Sequence, residues 1–86
     1  MSYEITFRPR ADKALDRLPP GIQQRIISGI AALAEKPRGK DTKALKGDLK
    51  GMRRLRVGEY RVLYVADDGA RTVDILRIGP RGDFYD

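Results

Sequence analysis

Residues 52–66 read Met-Arg-Arg-Leu-Arg-Val-Gly-Glu-Tyr-Arg-Val-Leu-Tyr-Val-Ala, and this stretch decides the fold. Two runs rich in aliphatic, β-branched and aromatic residues flank Gly58-Glu59, which is the pattern of a β-hairpin with a two-residue loop. That loop length sets the register, because it places Val57 directly opposite Tyr60. Every other pair of the two strands follows from this one.

Side chains alternate between the faces of a sheet, so the register divides the hairpin into an apolar face and a basic face. The apolar set, expected to meet the helices, is Leu55, Val57, Tyr60, Val62 and Tyr64. The basic face carries Met52, Arg54, Arg56, Arg61, Leu63 and Val65. Like charges directly opposite each other, here Arg56 and Arg61, destabilise a sheet by up to about 1 kcal/mol, which favours an anionic occupant of this face. The alternative is that the arginines splay into solvent or pair with an acid such as Asp74.

Upstream of the hairpin, the sequence predicts one strand, two helices and a loop. A period-2 alternation of Tyr3, Ile5 and Phe7 indicates a strand that ends at Pro9. Apolar residues at helical spacing predict an amphipathic helix over 11–18 and a second one from Pro20 to near residue 36. The tight Pro-Pro-Gly connection makes these two an antiparallel helical hairpin, and residues 37–51 read as a polar loop.

Downstream, Asp67-Asp68-Gly69 marks a turn and Thr72–Ile78 a further strand. A three-residue loop with Gly69 in the left-handed conformation would place Arg77 on the basic face; a two-residue loop would turn it toward the helices, where arginine is hard to bury. We expect the first. The element order β-α-α-β-β-β predicts an α+β domain over residues 1–86, with the helical hairpin on one face of a four-stranded, mainly antiparallel sheet. Patterning leaves the neighbour of the first strand open.

The positive charge is concentrated in one segment. The chain carries a net charge of +6. Residues 36–61 alone hold ten basic and three acidic residues, so the rest of the chain is close to neutral. Such clustering is typical of a surface that binds a polyanion, because Lys and Arg that neutralise phosphates release counterions. A solvated, solubilising face is the alternative.

Several kinds of chemistry are excluded by composition. The 86 residues include neither cysteine nor histidine, which removes disulfides, thiol nucleophiles and the usual neutral-pH proton shuttle. The same absence argues against a bound metal, and no cofactor is expected. No apolar run approaches a membrane span and the N-terminus lacks the layout of a signal peptide, so the expected location is the cytoplasm.

The chain resembles the RelE/ParE superfamily of toxins from bacterial and archaeal toxin–antitoxin systems. The resemblance is densest in the Arg-Leu-Arg-x-Gly-x-Tyr-Arg block at residues 54–61. It also includes Tyr3–Phe7, Lys43–Gly47, Ile75–Arg81 and Tyr85. The late Gly79-Pro80-Arg81 followed by Tyr85 is similar to the RelE-like branch. That branch often has a basic residue at the position of Met52, and a His or Lys at that of Pro80.

The resemblance implies a metal-independent endoribonuclease that enters the ribosomal A site and cuts mRNA by attack of a ribose 2′-OH. It also implies a cognate acidic antitoxin that forms a hetero-oligomer with the toxin and covers its basic surface. The catalytic residues would be Arg61, Arg81, Tyr85 and Arg54. The further RNA-binding residues would be Arg53, Arg56, Lys43, Lys46, Lys50 and Arg77.

Elementary chemistry is compatible with these roles. Arginine forks can neutralise the charge that develops on the phosphate, and Tyr85 could move a proton, although its ordinary pKa near 10 suits that role only if neighbouring arginines lower it. Packing of Tyr85 against Phe84 is the alternative. Two other functions remain open: a ParE-like inhibitor of DNA gyrase, and a non-toxic basic binding module on the same fold.

Overall fold

The computed structural model describes residues 2–80. Two helices and five strands follow one another in the order β-α-α-β-β-β-β. Their bounds are β1 Glu4–Phe7, α1 Pro9–Asp16, α2 Pro20–Leu33, β2 Thr42–Ala44, β3 Arg53–Val57, β4 Tyr60–Asp67 and β5 Thr72–Pro80. The predicted α+β class and the helical hairpin are confirmed. None of the described helices is long and apolar enough to cross a membrane.

The hairpin of β3 and β4 has the predicted register. Val57 pairs with Tyr60, and the pairing continues through Arg56 with Arg61 and Leu55 with Val62. Gly58 has φ of +58° while Glu59 has a negative φ, the combination that a type II′ turn requires. A two-residue loop of this kind matches the right-handed twist of the strands it joins.

The sheet has five strands, in the order β1-β5-β4-β3-β2, one more than predicted. The additional strand is β2, which lies in the segment predicted as loop and pairs antiparallel with β3. Its sequence, Thr-Lys-Ala, lacks the alternation of apolar and polar residues that predicts a strand. An edge strand of three residues does not need that alternation, because backbone hydrogen bonds hold it rather than a buried face. The open question of β1 is resolved as well: it pairs with β5 in parallel.

Arg77 lies on the basic face as predicted, but the proposed reason was wrong. Asp67 pairs with Thr72, so the β4–β5 loop has four residues, and its left-handed residue is Arg71, with φ of +59°, rather than Gly69. The register then shifts between Leu63 and Tyr64. This bulge reverses the alternation of β5, which buries Ile75 in the core while directing Arg77 to the opposite face beside Leu63.

The core fills the space between the helical hairpin and the apolar face of the sheet. Both helices begin at a proline, where the missing N–H costs no hydrogen bond. On α2, Gly29 lies so close to β3 that a Cβ there would stand 3.0 Å from a Val57 methyl carbon. The buried core residues are Ala11, Leu15, Ile26, Ile30, Leu33, Leu55, Val62, Tyr64, Val73, Ile75 and Ile78.

Tyr64 connects this core to the segment that leads into β2. Its ring is fully buried, and its hydroxyl donates to the Pro37 carbonyl at 2.5 Å and accepts from Arg53 Nε at 3.4 Å. Arg53 also donates from Nη2 to Thr42 Oγ1 at 2.9 Å. These contacts hold the chain before β2 against the sheet, because Pro37 lies between α2 and that strand.

We expect Tyr64→Phe to lower the free energy of unfolding by about 1–2 kcal/mol, because it leaves the buried Pro37 carbonyl without its donor. Urea unfolding monitored by circular dichroism measures the change. Tyr60→Phe is the matched control, since the Tyr60 hydroxyl makes no hydrogen bond within residues 2–80, and it should stay within about 0.5 kcal/mol of the parent. Equal effects of the two substitutions would contradict this role.

Asp68, in the β4–β5 loop, connects the residue before β1 to the segment after α2. Its Oδ1 accepts from the Tyr3 hydroxyl at 2.7 Å and from Arg38 Nη1 at 3.0 Å. The Arg71 guanidinium carbon lies 4.6 Å from the centroid of the Tyr3 ring. The hydrogen bond from Tyr3, followed by that from Arg38, holds the pKa of Asp68 below its ordinary value of 3.8.

We expect Tyr3→Phe to raise the pKa of Asp68 back toward 3.8, because the larger of its two hydrogen bonds is lost. A lowered pKa means that the ionised carboxylate stabilises the folded state above about pH 4, and that this contribution disappears as the pH falls through the lowered value. The stability deficit of the variant should therefore shrink in acid. Carboxyl titration by NMR measures the pKa, and identical titration curves in both proteins would contradict the assignment.

Candidate functional site

The face of the sheet opposite the helices carries a row of side chains that crosses four strands. Lys43 on β2 pairs with Arg54 on β3, Arg54 pairs with Leu63 on β4, and Leu63 pairs with Arg77 on β5. Directly paired residues in an antiparallel sheet have Cβ atoms about 4.5–5.5 Å apart. Three cations from three strands therefore lie within one narrow band, around a single buried leucine.

A second row lies next to the first, toward the hairpin loop. Arg56 pairs with Arg61, and Arg61 pairs with Gly79 on β5. The Arg56 N–H donates to the Asp41 carbonyl at 2.9 Å, on the side away from β4, as expected for a non-hydrogen-bonded pair with Arg61. In such pairs the side chains are closest. Gly79 has no side chain, so Arg61 meets no cross-strand side chain from its partner on β5.

Within residues 2–80, no carboxylate forms an ion pair with Arg54, Arg56 or Arg61. Asp74, the acid that could have neutralised them, is engaged elsewhere: it accepts from Thr6 Oγ1 at 3.0 Å and from Arg8 Nε at 2.9 Å. Arg61 makes only a long 3.4 Å contact from Nη1 to the Tyr60 carbonyl. Among residues 2–80, no ion pair therefore offsets the positive charge of Arg54, Arg56 and Arg61.

The other predicted site residues divide into three groups. Lys46 and Lys50 are exposed in the segment between β2 and β3, on either side of a short 3₁₀ helix. Arg53 points to the helix side of the sheet, where it binds Tyr64 and Thr42, and it is thus separated from the other arginines. Arg81 and Tyr85 lie outside the described residues.

Two further arginines reach the same face, although the distribution of charge along the sequence did not predict them. Arg8 and Arg10 follow β1, far in sequence from the basic segment, and they line a groove together with Leu63 and Arg77. The parallel pairing of β1 with β5 brings them there. The only available hint was two arginines on either side of the proline that ends the first strand.

This geometry suits the binding of a phosphate. Guanidinium groups present planar, paired N–H donors that match phosphate oxygens. The neighbouring strands β3 and β4 both carry them, and Arg56 is paired directly with Arg61. Within residues 2–80, no three acidic side chains come together in a way that could hold a metal ion. The guanidinium groups of this face can neutralise the charge of a phosphate and orient it.

Comparison with known proteins places these features in a family. The family model described as "ParE toxin of type II toxin-antitoxin system" matches residues 5–85. The curated Toxin RelG of Mycobacterium tuberculosis is 36% identical over 86 residues, covering 99% of this chain and 98% of the relative.

Solved structures match in the same way. The toxin–antitoxin complex RelBE2 of Mycobacterium tuberculosis contains a chain that superposes with a TM-score of 0.85 at 34% identity, covering 94% of this chain and 100% of that one. A chain of the archaeal RelE–RelB complex from Pyrococcus horikoshii gives a TM-score of 0.82 at 29% identity, covering 96% and 99% respectively.

We expect Arg56→Gln to stabilise the protein by a few tenths to about 1 kcal/mol at low salt, because it removes the like charge opposite Arg61. The gain should shrink in 1 M salt, where the screening length falls to about 3 Å. Urea unfolding at both salt concentrations measures it. Lys46→Gln removes the same charge from an exposed loop and should change stability less; a destabilised Arg56→Gln protein would contradict the repulsion.

Proposed function

Because the chain belongs to the ParE toxin family of type II toxin–antitoxin systems, within the RelE/ParE superfamily, we propose that it is a ribosome-dependent mRNA endoribonuclease. The observation that carries the proposal is the group of Arg54, Arg56 and Arg61 on one sheet face, none of which forms an ion pair with a carboxylate within residues 2–80. A 36% identical relative named Toxin RelG supports the RelE-like branch.

In the proposed reaction, the ribose 2′-oxygen attacks the adjacent phosphorus and the bond from phosphorus to the 5′-oxygen breaks. The products are a 2′,3′-cyclic phosphate and a free 5′-OH. The 2′-OH loses its proton, and the leaving 5′-oxygen gains one. Arg61 and Arg81 stabilise the charge on the pentavalent phosphate, and Arg54 positions it. Tyr85 moves the proton in this proposal.

The remaining cations hold the RNA strand along the same face. Arg56, Lys43 and Arg77 share the sheet face of Arg54 and Arg61 and would lie beside the reacting phosphate, with Lys46 and Lys50 contacting the strand farther out. Arg53 is the weakest member of the predicted set, because its guanidinium is engaged on the other side of the sheet. The ribosome would supply the A-site mRNA in a fixed geometry, which favours in-line attack of the 2′-oxygen.

The proposed protein partner is a cognate antitoxin with an acidic segment that covers the basic face in a hetero-oligomer. Two structural relatives are chains of toxin–antitoxin complexes, which supports such a partner. Charge complementarity with a face that carries Arg54, Arg56 and Arg61 favours an acidic one. The toxin would then act in the cytoplasm after release from this complex.

The test is the double substitution Arg61→Ala and Arg81→Ala in a purified translation system, with mRNA ends mapped by primer extension. The parent should generate ends inside codons positioned in the A site. We expect the variant to lose at least about 100-fold in cleavage rate, since the charge-stabilising groups are gone. Circular dichroism should show an unchanged fold.

The matched control is Lys13→Ala plus Arg17→Ala, which removes two exposed cations of the α1 region, neither of which lines the groove on the basic face. It should retain most of the cleavage, because neither residue contacts the reacting phosphate in this proposal. Intact mRNA in the presence of the parent protein on translating ribosomes would exclude the nuclease function. A fully active Arg61 and Arg81 variant would exclude only the assignment of the site.

A ParE-like inhibitor of DNA gyrase is the second candidate, since the matched family is described by the name of ParE. In that case the basic face would bind a protein rather than cleave RNA. A supercoiling assay with purified gyrase separates the two functions: inhibition without mRNA cleavage supports the second candidate, and cleavage without inhibition supports the first.

A further inference from the structure

An apolar groove lies on the same sheet face, directly beside the arginine rows. It has a volume of about 390 Å³. Its floor is built from Leu49, Met52, Leu63 and Leu76, and its rim includes Arg10 and Arg77. Leu63 forms the centre of this floor and is only 4% exposed, although it does not belong to the main core beneath the helices.

The groove continues the row in which the phosphate would bind. Leu63 is the direct partner of Arg54, so their Cβ atoms are about 5 Å apart, and it lies two residues from Arg61 on the same strand, about 7 Å away. A nucleotide is joined to its phosphate over a similar distance. A strand whose phosphate lies between Arg54 and Arg61 thus places a neighbouring base over Leu63.

We propose that this groove is a nucleobase subsite, in which Met52, Leu63 and Leu76 pack against one base of the bound RNA and Arg77 lies at its edge. The inference rests on the proposed function for the identity of the strand as mRNA. Flat aromatic bases bury their faces against apolar or guanidinium surfaces while their edges keep polar contacts. Met52 is therefore a specificity-determining residue, because its flexible side chain sets the width of the groove.

The dimensions favour a base over a protein helix. Met52 precedes β3 and Leu76 belongs to β5, so the floor spans two strand spacings, about 10 Å. An α-helix with its side chains is about 10–12 Å in diameter, at least as wide as the whole floor, whereas a single flat base lies within it. The cationic rim further favours a ligand that carries phosphates.

The test uses a fluorescein-labelled RNA pentanucleotide with 2′-O-methyl groups, which cannot be cut, and five versions that each lack one base. Fluorescence anisotropy at low salt gives the affinity of each strand for the full-length protein. We expect one missing base to weaken binding about tenfold, within the range of single-base packing energies. Met52→Trp, which fills the groove, should weaken the intact strand and remove this difference.

Ile27→Trp is the matched control, because it places the same side chain on the exposed surface of α2, and it should keep the tenfold difference. Leu76→Ala, which widens the groove, is the second variant and replaces Met52→Trp if that protein does not fold. It should reduce the tenfold difference in affinity.

Equal affinity of the parent for all six strands would overturn the subsite. The same holds if Met52→Trp leaves both RNA affinities unchanged while it weakens binding of the cognate antitoxin, because the groove would then serve a protein. Cleavage is measured separately on translating ribosomes. A parent protein that shows the tenfold difference but leaves mRNA intact would keep the subsite and exclude the nuclease function.

Discussion

Period-two alternation along β3 and β4 assigns every side chain of the hairpin to one of two faces, and only one assignment buries the apolar set. Leu55, Val62 and Tyr64 must pack against the helices, so Arg54, Arg56 and Arg61 must point the other way. A slip of one residue would exchange the two sets and place arginines in the core. The packing of the core thereby determines the geometry of the cationic face.

The same constraint places two like charges, Arg56 and Arg61, opposite each other on this face. Arg56 and Arg61 are fixed opposite each other by the register, and the acid Asp74 is engaged by Arg8 and Thr6. Small domains are only marginally stable, so repulsion within a like-charge pair is a noticeable fraction of their net stability. An anionic ligand relieves the repulsion without moving the backbone. In the proposed function, RNA phosphates and an acidic antitoxin would compete for this role, so binding of one excludes the other.

Local rules were sufficient for the parts of the fold that local sequence determines. The two-residue loop at Gly58-Glu59 and the alternation beside it correctly predicted the hairpin register, and Pro20 correctly marked the start of the second helix. The strand β2 could not be found in this way, since Thr42–Ala44 has no buried face and is defined only by its partner β3. The bulge beside Leu76 was missed because the backbone, not composition, reverses the alternation there.

The candidate site was predictable to the extent that its residues are close in sequence. Arg54, Arg56 and Arg61 followed from the hairpin alone, but Arg53 was grouped with them by sequence and is separated from them by the sheet itself. Arg8 and Arg10 lie outside the basic segment and reach the groove only because β1 pairs in parallel with β5. A charge count along the chain therefore locates the strands that carry the site, whereas its full outline depends on which strands become neighbours.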